Sequence, residues 1–163
     1  YDTEYGRAIA SEDDGVVRCI GGVYQKNKLN ALFSCAYVYL HGHEVGGTNP
    51  SLLNAMHMSA APVAMDVIFH RQVMTDDGIY FTKDKNHLSS IIRQLDEDES
   101  KVKQLKKLAK NRSDSLYRWD AVVDAYVKLI NIVKENYKNK KDLGESLKSE
   151  VYLPLDFYNK SNE

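Results

Sequence analysis

The chain is poor in cysteine, with two thiols in 163 residues, and its formal net charge is only -1. Nowhere does an apolar run approach the ~18 to 20 residues that a membrane-crossing helix needs. Each scarcity removes a class of protein. Cys19 and Cys35 are too few and too far apart for a disulfide framework or a structural zinc site. Both stand among apolar neighbours and read as small buried hydrophobes of a reducing compartment. A near-neutral chain has no general attraction to nucleic acid. Low-complexity linkers and internal repeats are missing too, which argues against a solenoid or a string of modules.

What remains is ordinary globular material: 43% hydrophobic and 28% charged residues, in a length of about one domain. The opening "YDTEYGR" is polar and carries no initiator methionine, so the chain reads as an excised piece of something longer. Residues 1–140 are expected to form a partial domain and residues 141–163 a tail, whose apolar cluster from Val151 to Tyr158 either docks or dangles.

The first half alternates short apolar runs with helical patterns, as parallel sheets with crossover helices do. "GVVRCIGG" reads as a strand ending in a glycine turn. "QKNKLNALFSC" puts Leu29, Leu32 and Phe33 on one helical face. "AYVYL" reads as a second strand, continuous enough in apolar residues to be central. A helix over roughly 51–59, a strand at "APVAM", a loop or short helix at "DVIFHRQVMTDD" and a strand at "GIYF" follow. From Asn86 onward only helices are expected. Leu88, Ile91, Ile92 and Leu95 share one face, and Val102, Leu105, Leu108 and Ala109 another. Trp119, Val122, Val123, Tyr126, Leu129, Ile130 and Val133 form a broad third, which ends in the lysines of "KNKK".

The stretch "HGHEVGGTNPSLLNAM", residues 41–56, is the most specific feature. Strand, glycine turn, helix is an arrangement that presents backbone N–H groups to an anion at a helix N-terminus. Gly46 and Gly47 would let a bulky diphosphate approach, Asn49 or Ser51 would cap the helix, and Pro50 fits its first turn. A plain tight turn has the same pattern. In an open parallel sheet such a turn lies at the carboxyl ends of the strands, where ligands of doubly wound folds bind.

With "PVAMDVIFHRQV", "GIYF" and the "RW" of Arg118 and Trp119, this stretch resembles the C-terminal, nucleotide-sugar-binding domain of retaining GT-B glycosyltransferases (glycosyltransferase group 1, family 4). Within them it is most similar to bacterial rhamnosyltransferase-like enzymes of polysaccharide biosynthesis. The resemblance spans roughly residues 1–135 and implies an α/β, Rossmann-like parallel sheet with crossover helices, N-terminally truncated, followed by C-terminal helices. It implies transfer of a hexose or deoxyhexose such as rhamnose from a nucleoside diphosphate to a polysaccharide or lipid-linked acceptor. No cofactor or metal is implied, and no catalytic residue can be named. The partners implied are the nucleotide sugar, an acceptor-binding N-terminal domain of the same enzyme and a lipid-linked saccharide, with no nucleic acid. The location implied is cytoplasmic, or peripheral at the inner face of the membrane. Separated from its acceptor domain, the fragment is expected to be inactive, since positioning can be worth ~7 to 11 kcal/mol of barrier.

The resemblance also assigns residues. His43, Glu44, Gly46, Gly47, Thr48 and Asn49 would line the donor diphosphate and sugar, Asn54 the nucleotide ribose, and Tyr24 the base. Tyr24 has the alternative of being a buried core tyrosine. Two carboxylates usual in the wider family fall here on Gly46 and Asn54, and an amide in place of the ribose carboxylate gives up a charge-assisted bond worth about 1 kcal/mol or more. A non-catalytic nucleotide-sugar-binding or interaction module is therefore the alternative. His41, His43 and Glu44 also suggest a metal site, but no further ligand can be named, and loop hydrogen bonding is preferred. His57, His70 and His87 read as solvated or locally bonded, and Asp66 with Arg71 as neighbours of the site or a surface pair. The basic stretch "KVKQLKKLAKNR" reads as a solvated face, because it lacks interleaved aromatics and follows "DEDE".

Overall fold

The computed structural model describes residues 3–12, 14–75 and 78–139. Three short parallel strands form its centre: β1 (Tyr39–His41), β2 (Pro62–Met65) and β3 (Ile79–Phe81), in the order β1-β2-β3. Tyr39, Leu40 and His41 pair with Pro62, Val63 and Ala64, and Val63, Ala64 and Met65 pair with Ile79, Tyr80 and Phe81. Helix α1 (Glu4–Ser11) and helix α2 (Lys26–Cys35) precede the sheet. Helix α3 (Pro50–His57) crosses from β1 to β2, and α4 (Ile68–Met74) from β2 to β3. After the sheet come α5 (Lys85–Glu97), α6 (Glu99–Leu116) and α7 (Trp119–Asn139). The architecture is thus a mixed α/β arrangement on a small open parallel sheet, each crossover being a helix because parallel neighbours cannot be joined by a tight turn.

Strand β2 is central. Ala60, Ala61, Val63 and Ala64 are fully buried, and their small side chains let helices approach from both faces. Val63 points into one layer with Phe81, Ile91, Leu95, Val102 and Leu105. Ala64 points into the other, with Leu52, Met56, Val73, Met74 and Ala109. The alternation follows from the two-residue period of a strand. Pro62 opens the strand, where a missing N–H is tolerated. A third cluster, Phe33 with Ala55 and Ala60, seats α2 beside α3.

Two sequence expectations need correction here. The "AYVYL" run yields only the edge strand β1 among the described residues, and Leu40 remains 45% exposed. An apolar run reports burial in some partner; it does not say on how many sides a strand has neighbours. "GVVRCIGG" forms no strand. The Asp14 carboxylate takes the amide N–H groups of Val16 and Val17 (2.9 and 2.8 Å), and the following residues join no sheet, with Val16, Val17 and Ile20 exposed. Strand propensity expresses packing against a neighbour, and without one a local side-chain bond wins. For the same reason Cys19 is only half-buried, while Cys35, in the last turn of α2, is exposed.

The helical half agrees with its periodicity. Ile91 and Leu95 of α5 and Val102, Leu105 and Ala109 of α6 are buried, while Ile92 is exposed. The two helices break inside "DEDE", where Asp98 caps α6 by accepting from the Lys101 amide at 2.9 Å. That bond holds the Asp98 carboxyl below its usual range. Several cations of the basic stretch are engaged: Lys106 donates to the Ala36 carbonyl, Lys110 pairs with Asp114, and Arg112 donates to the Val73 and Gln72 carbonyls at the end of α4. On α7, Val122, Leu129 and Ile132 are half-covered. Trp119, Tyr126, Ile130 and Tyr137 of the other side stand exposed, so the expected apolar face exists but is largely uncovered among the described residues. No described helix is long and apolar enough to cross a membrane. The apolar cluster from Val151 to Tyr158 lies outside the described residues.

Candidate functional site

The carboxyl end of β1 leads through residues 42–49 into α3, so the glycine loop and the helix N-terminus lie at the same end of the sheet. Asn49 is the N-cap: its side-chain oxygen accepts from the Ser51 amide at 3.0 Å, and Pro50 follows in the first turn. Its carboxamide thus organises the helix start. Asn49→Ala should cost about 1 kcal/mol of stability in a denaturation titration, and Asn49→Asp much less.

Gly46 has φ +141, a conformation that L side chains rarely adopt, and a Cβ built on Gly42, Gly46 or Gly47 would meet nothing within 4 Å. The glycines are not filling a tight contact inside the protein. They leave bare backbone facing open space, which is what close approach of a ligand requires. Val45 is highly exposed, and Gly46, Gly47 and Thr48 are exposed beside it.

The ends of the other two strands carry charged residues as well. Glu44 forms an ion pair with Lys83 (2.7 Å), which follows β3. Asp66, following β2, receives two bonds from Arg71, at 2.5 and 2.8 Å, and Arg71 lies over the Tyr80 ring at 4.7 Å. The Arg71 guanidinium holds the Asp66 carboxyl below its usual range. Asp66 and Arg71 are thus a pair. Lys83 is a cation that sequence reasoning passed over, and its one signal was its place directly after a strand of a parallel sheet.

Beneath the loop is a cluster of aromatic and histidine rings. His41, at the end of β1, is 1% exposed. Its Nδ1 shares a hydrogen bond with the Tyr39 hydroxyl at 3.0 Å. The exposed ring of His43 stacks on it, with centroids 4.8 Å apart and planes 19° apart, and His70 of α4 meets it edge-on at 4.7 Å. His70 is itself buried, with Nδ1 bonded to the Met65 carbonyl at 2.8 Å. His70 is thus locally bonded rather than solvated, and in addition it meets His41, which the sequence reading did not foresee. His57 and His87 do have local partners, Asp114 and Thr82. Burial above all, then His70 and His43, pushes His41 down to about 4, so its ring is neutral at pH 7. Among the described residues no three His, Cys, Asp or Glu side chains are grouped to hold a metal ion. The histidines meet ring to ring.

Asn54 lies one and a half turns into α3 and donates to the Asn30 side-chain oxygen of α2 across 3.4 Å, a long bond in a part-buried setting. Tyr24 stands apart from this group on the segment entering α2. It is 96% exposed, with its ring over Gly22, where a Cβ would come within 2.7 Å of it. The buried-tyrosine reading is thereby excluded. The structure brings His43, Glu44, Gly46, Gly47, Thr48 and Asn49 together in one loop and adds His41, His70 and Lys83. A small apolar pocket between Met56, Pro62, Met74 and Leu105 opens at the opposite, amino end of the strands and has no part in this site.

No family model, curated protein or solved structure matches the chain.

Proposed function

We propose that the chain is the donor-binding part of a retaining glycosyltransferase of the GT-B type, in which loop 42–49 and the α3 N-terminus hold the diphosphate of a nucleotide sugar. The observation that carries this reading is the open backbone at Gly46 and Gly47, set at the carboxyl end of a parallel strand and at the start of a capped helix. Amide N–H groups so placed stabilise phosphate charge, which increases as a nucleotide leaves an anomeric carbon. The sugar transferred would be a hexose or deoxyhexose such as rhamnose, and the acceptor a lipid-linked saccharide or polysaccharide positioned by another domain of the enzyme. Glu44 and His43 would serve the sugar hydroxyls, Asn54 the ribose, and exposed Tyr24 is available for stacking on the base.

A second reading has one observation in its favour. Asn54 is neutral and already bonded to Asn30, so ribose recognition there competes with an internal contact. This suits a binding module without transferase activity.

Titration of the chain with UDP, dTDP and GDP, followed by calorimetry and by the amide shifts of Gly46 and Gly47, tests the first step common to both. Saturable binding of one diphosphate with shifts at those two amides is expected. No response to any of the three at millimolar concentration would overturn the donor-site reading. Asn54→Glu in the complete protein then separates the two: the transferase reading expects sugar transfer in the native form, and the binding-module reading expects it in neither or in the variant alone.

A further inference from the structure

The buried Nε2 of His41 is the one described side-chain nitrogen or oxygen sealed from solvent without a hydrogen-bond partner. Buried polar atoms are nearly always bonded, and an orphan needs a reason. If the Tyr39 hydroxyl donates to Nδ1, the single proton of the neutral ring sits on Nε2, and one group lacks a partner. If Nδ1 donates to Tyr39 instead, Nε2 is left as a bare buried acceptor. The first arrangement, with the hydrogen on Nε2, is the one that a phosphoryl acceptor requires.

Its direction follows from the chain. Nδ1 is turned toward Tyr39, two residues back along β1. Nε2, on the far side of the ring, is turned onward past the end of the strand, where loop 42–49 begins. Of the two rings against His41, His70 is anchored by its bond to Met65, whereas His43 belongs to the loop and is exposed. The His43 ring covers one face of His41, while the Nε2 hydrogen-bonding direction lies in the plane of the ring.

We propose that His41 is a ligand-positioning residue, whose Nε2–H donates to a phosphoryl oxygen held by loop 42–49. This rests on the donor-site reading and deepens it. The loop amides meet the phosphate from the helix N-terminus, and His41 meets it from the strand end, so two directions of approach fix its orientation.

The test uses the whole chain with ¹⁵N-labelled histidine, titrated with inorganic pyrophosphate and separately with UDP, dTDP and GDP. The Nε2 and Hε2 resonances of His41 should shift together with the Gly46 and Gly47 amides. Two variants separate the ring nitrogens. His41→Gln puts an amide donor near the Nε2 position, and His41→Asn keeps only a group near Nδ1. Loss of a hydrogen bond to a charged acceptor predicts about 10- to 100-fold weaker pyrophosphate binding for His41→Asn, and a change of only a few fold for His41→Gln. Movement of the glycine amides with His41 Nε2 silent, or equal weakening by both variants, overturns the proposal and leaves the donor site standing. Pyrophosphate binding that shifts Nε2, with nucleosides adding nothing, supports His41 and overturns the nucleotide-sugar reading. No binding of any probe overturns both. Where a variant does not fold, the wild-type Nε2 shift decides.

Discussion

Leu52→Ala will lower the unfolding free energy by about 3 kcal/mol, within the ~2 to 5 kcal/mol seen when a fully buried leucine is cut to alanine. Leu52 is 0% exposed and packs with Met56, Ala64, Val73, Met74 and Ala109, so it joins α3 to the central strand, to α4 and to α6 at once. The cost has two parts, the lost transfer of the side chain from water and the cavity left among neighbours that cannot all collapse. The midpoint of a urea titration should fall with its slope unchanged. Because α3 carries Asn49 at its start, the proposed donor site predicts that the same variant binds diphosphates more weakly. A loss of stability below about 1 kcal/mol would mean that α3 is not seated in this core.

The second large effect is a dependence of stability on acidity between pH 6.5 and about 4. His41 is pushed from 6.5 down to about 4 in the folded chain, first by burial and then by His70 of α4 and His43 of the loop, with Tyr39 facing it along β1. Between those values the ring is protonated in the unfolded chain and neutral in the folded one. The unfolded state therefore binds more protons, and stability rises with pH. The contribution is fully present above pH 6.5 and is lost as the pH falls toward 4, a total on the order of 3 kcal/mol. The difference in unfolding free energy between wild type and His41→Gln, measured across this range, should change by that amount. A difference that stays constant from pH 7 to 4 would show that His41 titrates as it does in the unfolded chain. Asp66, Asp98 and Asp114, all held below the ordinary carboxylate range, contribute in the more acidic region and with the same sign.

Much of the site was legible locally. The start of α3 follows from "TNPS": a capping asparagine, a proline at the first position and a run of helix formers are all effects of neighbouring residues on one another. The glycine loop before it was legible too, because φ +141 at Gly46 is a requirement on a single residue. The residues beneath the loop were not. His70 lies far from His41 in sequence and meets it only because β1 and β2 are parallel neighbours and α4 starts where β2 ends. Lys83 reaches Glu44 by the same logic one strand further on. Spacing along the chain contains no trace of such meetings.

Residues 15–22 and Leu40 show the opposite limit. Their propensity for strand was plain, yet the first joins no sheet and the second lies on an edge, since a strand is completed by partners that local preference cannot supply. By itself the sequence determined where helices begin, which helical faces carry apolar residues, and that a bare glycine turn precedes α3. Only the tertiary structure decided that β2 is central, that three histidine rings meet at that turn, and that one nitrogen among them has no partner. Periodicity and capping act between residues a few positions apart, whereas sheet order and layer packing choose contacts among residues that the chain keeps distant.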